Sequence, residues 1–293
     1  MYKLQKCALC GENKELQLSH IVPKFIGRHL KGTSIGNVRS GESGKVVQDL
    51  EKHYMLCHEC EELFSANERW FANNVFYPWQ KNNQTEFNYT KQLFYFLTSL
   101  SWRSLYLDIL DFVENSTYSI QDLEHLIQCE SLMKNFLLGN RSNLDSIEHH
   151  IFFFDRIESI SQDTNMFSYN PHVTVHRSIT SYTSCYANDT LFTISNLMGI
   201  IIVTFYKKSS EENWVGTMIE NEAGTLMAKN QGMTSVAANE INFWLESAKS
   251  QNANLSDKEK EKIYKKIIEI GEDIKNYDIY QDLIDDSNLK QDI

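Results

Sequence analysis

Three prolines and twelve glycines in 293 residues leave little material for long flexible linkers. The longest apolar run, Leu197 to Tyr206, falls well short of the roughly 20 residues that span a bilayer, so no membrane partner is expected. The opening Met1-Tyr-Lys-Leu-Gln-Lys lacks the charged-then-apolar order of a secretion signal. A cytoplasmic location is the expectation. There thiols stay reduced, and paired cysteines favour a metal over a disulfide. Excess positive charge is missing too, since a net charge of −11 excludes a polycation made to wrap nucleic acid.

What is present suits a packed protein, with 42% hydrophobic and 12% aromatic residues. Charge is unevenly spread. Residues 1–60 carry nine Lys/Arg against six acids, a local balance of +3, while acidity gathers after residue 210. This basic first quarter opens with Cys7-Ala-Leu-Cys10-Gly11, passes Ser19-His20-Ile-Val-Pro23 and closes with Cys57-His-Glu-Cys60. Two Cys-x-x-Cys pairs supply four thiolates, the donor set and number of a structural zinc site, so Cys7, Cys10, Cys57 and Cys60 are the expected Zn²⁺ ligands. Gly11 can take positive φ and tighten a knuckle around the sulfurs. Glu15 to His20 alternates as a short strand, Pro23 suits a first helical position, and 31–45 reads as a loop. Val46 to Leu56 is expected to return as a strand. A helix from Cys60 to Phe76 then buries Leu63, Phe64, Trp70, Phe71, Val75 and Phe76. Cys129 and Cys185, without Cys-x-x-Cys neighbours, read as buried small hydrophobes.

Cys7-x-x-Cys10, Ser19-His20-Ile-Val-Pro23, Leu56-Cys57-x-x-Cys60 and the helix that follows resemble the zinc-bearing HNH endonuclease module. They are also similar to a group of bacterial proteins built on Cys-x-x-Cys, Ser-His-Ile-x-Pro-Lys-Phe and Cys-x-x-Cys-Glu. The resemblance covers about the first quarter of the chain. It implies a treble-clef, ββα-metal-like module at 1–78, with His20 as the general base that activates water against a phosphodiester. Three positions depart from the family pattern. Ser19 stands where an acid often precedes the histidine, Glu51-Lys52-His53 fills the region of the middle asparagine, and Glu61 replaces the closing histidine. A carboxylate can hold Mg²⁺ or Mn²⁺ through oxygen, so Glu61 is the expected ligand of a catalytic ion. Each residue also has a structural reading: His20 at a strand–helix junction, Glu61 as a first-turn acid, and Lys24 with Arg28 as a solvated face or a pair of phosphate contacts.

Residues 79–293 read as an α+β body. Gln80 to Thr85 is a polar break and a candidate boundary. Helices are expected at Lys91–Val113 and from Ser119 to Leu138, the latter capped by Ser119 and ended by Gly139. From 148 to 230 the pattern is a largely antiparallel sheet: His150–Phe154, Val173–His176, Thr180–Thr183, Leu191–Ile194 and Gly199–Tyr206 read as strands. Trp214–Ile219 and Gly224–Ala228 read as one hairpin. His149, His150, His172 and His176 read as structural or surface groups, the last two on one strand face. Helices close the body: Thr234–Lys249 docks through Val236, Ile241, Phe243, Trp244 and Leu245, and a charged helix runs from Ser256 to Ile270. An acidic tail, 272–293, reads as a solvated terminus, a partner-docking segment or a mimic that blocks a basic groove.

Three functions fit these residues. One is an HNH-like metal-dependent endonuclease acting on DNA, with His20 and Glu61 catalytic, within a bacterial defence system. Another is a non-catalytic zinc module that binds nucleic acid through Lys24 and Arg28. The third is an interaction protein whose zinc only holds the fold for a protein partner.

Overall fold

The computed structural model describes residues 4–35, 38–40, 45–115, 118–155, 170–186, 189–253 and 256–289. The chain begins with two short pairings. β1 (Gln5–Lys6) pairs antiparallel with β2 (Asn13–Lys14) around the first cysteine turn, and β3 (Leu16–His20) pairs with β4 (Lys52–Cys57). Between β3 and β4 lies α1 (Lys24–Thr33), for which Pro23 sets the entry dihedral. The expected return strand is shorter than Val46–Leu56, because Val46 makes only an isolated bridge to Arg39. β4 runs directly into α2 (His58–Phe71), whose first turn carries Cys60.

The helical path does not stop at Phe76. A π-helical turn, Ala72–Phe76, joins it to α3 (Tyr77–Asn82), which ends at Asn83 in the left-handed conformation. β5 (Glu86–Tyr89) follows, so the polar stretch around residue 80 is part of an ordered connection. α4 (Lys91–Asn115) is buried over most of its circumference between Leu93 and Leu105, as its near-continuous apolar composition predicts. α5 (Ile120–Leu137) starts on Ser119, whose hydroxyl accepts from the Asp122 amide at 3.1 Å, and ends at Gly139 with φ of 75°. Stacked Phe71 and Phe96 rings, 4.1 Å apart, pack α2 against α4.

The main sheet is wholly antiparallel. It contains β6 (Glu148–Phe153), β7 (Ile179–Tyr186), β8 (Thr190–Leu197), β9 (Ile200–Lys207) and β11 (Met218–Ile219) in the order β11-β6-β9-β8-β7. Met198 and Gly199, both at positive φ, turn β8 into β9. A Cβ on Gly199 would lie 2.5 Å from the His176 ring and 2.8 Å from Trp79, so close packing as well as the turn favours glycine.

Two strand expectations fail. Val173–His176 lies in a helix, α6 (Pro171–His176), with Pro171 at its start. His172 and His176 therefore share a helical face rather than a strand face. The residues 214–228 do not form a hairpin with themselves. β10 (Asn213–Val215) pairs with β13 (Gly232–Thr234), β11 pairs with β6, and β12 (Gly224–Met227) pairs with β5.

Three helices follow: α7 (Ala237–Ala253), α8 (Asp257–Ile270) and α9 (Asp278–Leu289). α7 buries Ile241, Trp244 and Leu245, but Phe243 points out at 60% exposure, against expectation. The acidic tail is not simply solvated, because Asp282 and Asp286 on α9 are buried. One continuous core joins the cysteine region, α2, α4, α5 and one face of the sheet; a second lies under α7.

Candidate metal centre and the His20 site

The first cysteine turn is built as its sequence requires. Gly11 sits at φ of 77°, its amide donates to the Cys7 carbonyl at 2.9 Å, and the Cys7 amide donates to Glu12. The Ala8 amide donates to the Met55 carbonyl, which ties the turn to β4 at 2.8 Å. From α5, Lys134 donates to the Ala8 carbonyl at 2.6 Å. Cys57 ends β4 and caps α2, and Cys60 lies one turn along.

These elements bring four sulfurs together. Cys7, Cys10, Cys57 and Cys60 offer ligand atoms all within 4.8 Å of one another. Four sulfurs held 2.3 Å from one ion stand about 3.8 Å apart at the edges of a tetrahedron. The Cys10 and Cys57 sulfurs are 3.8 Å apart. The thiols also need a cation if they are to ionise together. Burial pushes Cys57 up to about 11 and Cys60 up further, with neighbouring sulfurs adding to the effect. Cys7 behaves differently. Burial would raise it, but hydrogen bonds from Cys57 and its own turn hold it below its usual value, with the Cys57 amide 3.3 Å from the sulfur. Four crowded thiols in a partly buried pocket are the donor chemistry of a closed structural zinc site.

His20 ends β3 on the other side of this module. Its Nε2 lies 3.2 Å from Asp49 Oδ1, and Lys52 donates to Asp49 Oδ2 at 2.9 Å. The Lys52 ammonium, helped by His20, holds the Asp49 carboxyl well below the usual carboxylate range. Nδ1 of His20 has no partner among the described residues, and the side chain is 15% exposed. The backbone beneath is fixed from the body. Arg103 of α4, 1% exposed, donates to the His20 carbonyl at 2.8 Å and pairs with Glu68 of α2 at 2.8 Å.

Asp49 also forms one wall of a cavity of about 280 Å³. Lys24, Arg28 and Lys31 rim it at helical spacing on α1, and Leu30, Val38, Val47 and Leu50 make its floor. Lys31 donates to the Gln48 carbonyl. Lys24 and Arg28 are exposed and pair with no described residue.

The remaining candidates fall elsewhere. Ser19 is 1% exposed and turned inward. His53 pairs with Glu51 at 2.8 Å, and His58 is exposed. Glu61 has a buried Oε1 without a partner. Among the described residues the four cysteines are the only group of three or more His, Cys, Asp or Glu within ligating distance of one another. His20 and Glu61 thus belong to no three-ligand group among the described residues. Sequence reasoning missed Asp49, Lys31 and Arg103, which carry no recognisable spacing relative to His20.

Three histidines of the body are engaged by internal partners. His149 is fully buried between Thr98 at 2.9 Å and Thr204 at 2.7 Å, and burial pushes its pKa down to about 3. His172 and His176 meet Asp286 and Asp282 at 2.9 and 2.7 Å, docking α6 on α9. Asp286 also accepts from the amides of His172 and Val173.

Among the described residues no helix is long and apolar enough to cross a membrane. No protein-family model matches the chain, and neither the curated proteins nor the solved structures searched contain a match.

Proposed function

We propose that residues 1–78 form an HNH-like treble-clef zinc module and that the protein is an endonuclease acting on the phosphodiester bonds of DNA, in a bacterial defence setting. One observation carries the reading: His20 is held by Asp49, and Asp49 lines a cavity together with two exposed, unpaired cations, Lys24 and Arg28. Cys7, Cys10, Cys57 and Cys60 would hold the zinc ion, which fixes the knuckle to α2 and supplies no reactive group.

The chemistry asked of the chain is proton transfer at a positioned histidine. Asp49 accepts from Nε2–H, which sets the tautomer and leaves Nδ1 to take the proton of an attacking water. The resulting imidazolium is stabilised by the same carboxylate. Lys24 and Arg28 bind phosphate oxygens and orient the strand, a sequence-independent contact. Arg103 acts through the backbone by keeping the His20 carbonyl fixed.

The test is a DNA-cleavage assay on the zinc-loaded chain with added divalent ions. His20→Ala is expected to lower cutting by at least about 10²-fold, the usual contribution of a general base. Equal cutting by parent and variant ends the nuclease reading. A second reading, nucleic-acid binding without cleavage, is supported by the exposed, unpaired Lys24 and Arg28 on one face of α1. It predicts salt-dependent binding that Lys24→Ala and Arg28→Ala weaken, with no product formed.

A further inference from the structure

The cavity beside Asp49 combines two surfaces that a plain phosphate contact does not need. Its floor is aliphatic, made of Leu30, Val38, Val47 and Leu50, while its rim carries Lys24 and Arg28. At about 280 Å³ it lies near the small end of ligand sites, which run from roughly 300 to 1,000 Å³. That is room for one ring system rather than an extended ligand. Neither rim cation pairs with a described residue, so an anion bound there gains charge neutralisation without displacing an internal ion pair. The carboxylate in the wall is already balanced, with Lys52 at 2.9 Å from one oxygen and His20 at 3.2 Å from the other. It can accept a hydrogen bond from a ring amino group at little further electrostatic cost.

An apolar floor, a cationic rim and one acceptor match a nucleotide: a flat ring, a phosphate and polar ring edges. A base inside a duplex cannot use such a floor, because its faces are stacked and only its edges reach a groove. A base lies face-on against aliphatic side chains only when its strand is single or when it has been extruded. We infer that this cavity takes one unstacked nucleotide of single-stranded DNA, so that the protein prefers single-stranded or frayed DNA to intact duplex. This deepens the nuclease reading, on which it rests for the role of the adjoining His20.

Direct binding separates the two claims, because it requires no cleavage. Fluorescence anisotropy on the full zinc-loaded chain, without added divalent ion, compares a labelled single-stranded DNA oligonucleotide with its duplex. The single strand is expected to bind at least about tenfold more tightly. Val47→Met and Val38→Met, which fill the cavity from its floor without adding a ring for a base to stack on, are each expected to erase that preference. Zinc content and circular dichroism matching the parent show that these variants fold. Equal affinity for the two forms overturns the inference, as do filled variants that keep the preference. Deoxynucleoside monophosphate binding as tightly as the oligonucleotide overturns it too, since the ligand would then be a free nucleotide. Single-strand preference without cutting upholds the cavity and removes the nuclease, whereas cutting without preference does the reverse.

Discussion

One core runs through the first eighty residues and the five-stranded sheet, but the strands of the two regions are held differently. In β8 every residue is buried, and in β9 all but the last, so the sheet is stabilised by apolar area removed from water. β1 and β2 bury almost nothing, and the first three residues of β4 are exposed. These short pairings cannot stand alone. Two devices compensate: the four-thiol cluster that joins the knuckle to α2, and the docking of α2 and β3 on α4 through Arg103. A module whose short strands lean on thiol and docking contacts can present their surface to a ligand, while the sheet cannot without losing its core.

This contrast breaks most sharply under metal removal. Chelation, or Cys57→Ser, is expected to unfold the module while leaving the sheet folded, because structural zinc contributes roughly 10–16 kcal/mol to folding in isolated zinc modules. Hydrogen exchange by peptide should show deprotection of β1 to α2 and retained protection of β8 and β9. Cooperative loss of both regions would mean that the two are not separately held.

Arg103 comes next. Replacing it with Leu leaves the half-buried Glu68 without its cation and the His20 carbonyl without its donor, which should cost about 3 kcal/mol, the lower end for breaking a buried pair. Urea denaturation measures the loss, and His20-dependent chemistry should fall with it. Ile202→Ala, at a fully buried position of β9, is the matching test on the sheet, at about 2–5 kcal/mol. Zinc content should stay at the parent level in Ile202→Ala, which sharpens the division between the regions.

A smaller effect concerns how α9 docks on α6. Burial alone would push His176 down, but its hydrogen bond to Asp282 outweighs that and leaves its pKa raised above the ordinary value. A histidine whose folded pKa is raised contributes stability that is complete below the unfolded pKa of about 6.5 and is lost as pH climbs through the folded value. The groups around it are Asp282 and Asp155 as acids and the Phe154 carbonyl as acceptor. Hydrogen-exchange protection of α9 should therefore decline as pH rises from about 6 to about 8. In Asp282→Asn that decline should vanish.

Much of this was readable because it is local. Cysteine spacing located the metal cluster, Ser119 and Gly139 bracketed α5, and the apolar density of residues 91–113 marked the central helix. The misreadings share a cause in distant partners. Val173 and Val175 alternate like a strand, yet Pro171 and a carboxylate 113 residues away, which accepts the Val173 amide, make a helix there. Residues 214–228 look like one hairpin, but β11 and β12 find separate partners in β6 and β5. Asp49 sits in an irregular segment before β4, and only the fold brings it to His20 across 29 positions. Asp282 and Asp286, read as part of an acidic tail, share one face of α9. Their histidine partners were not legible.

The most direct test of a metal-held module on a packing-held body is metal stoichiometry. Native mass spectrometry with elemental analysis should find one zinc ion per chain in the parent protein. It should find none in the Cys7→Ser/Cys60→Ser double variant, whose sheet still gives β-type circular dichroism. A parent chain that folds without metal, or a double variant that keeps a full equivalent, would contradict the account.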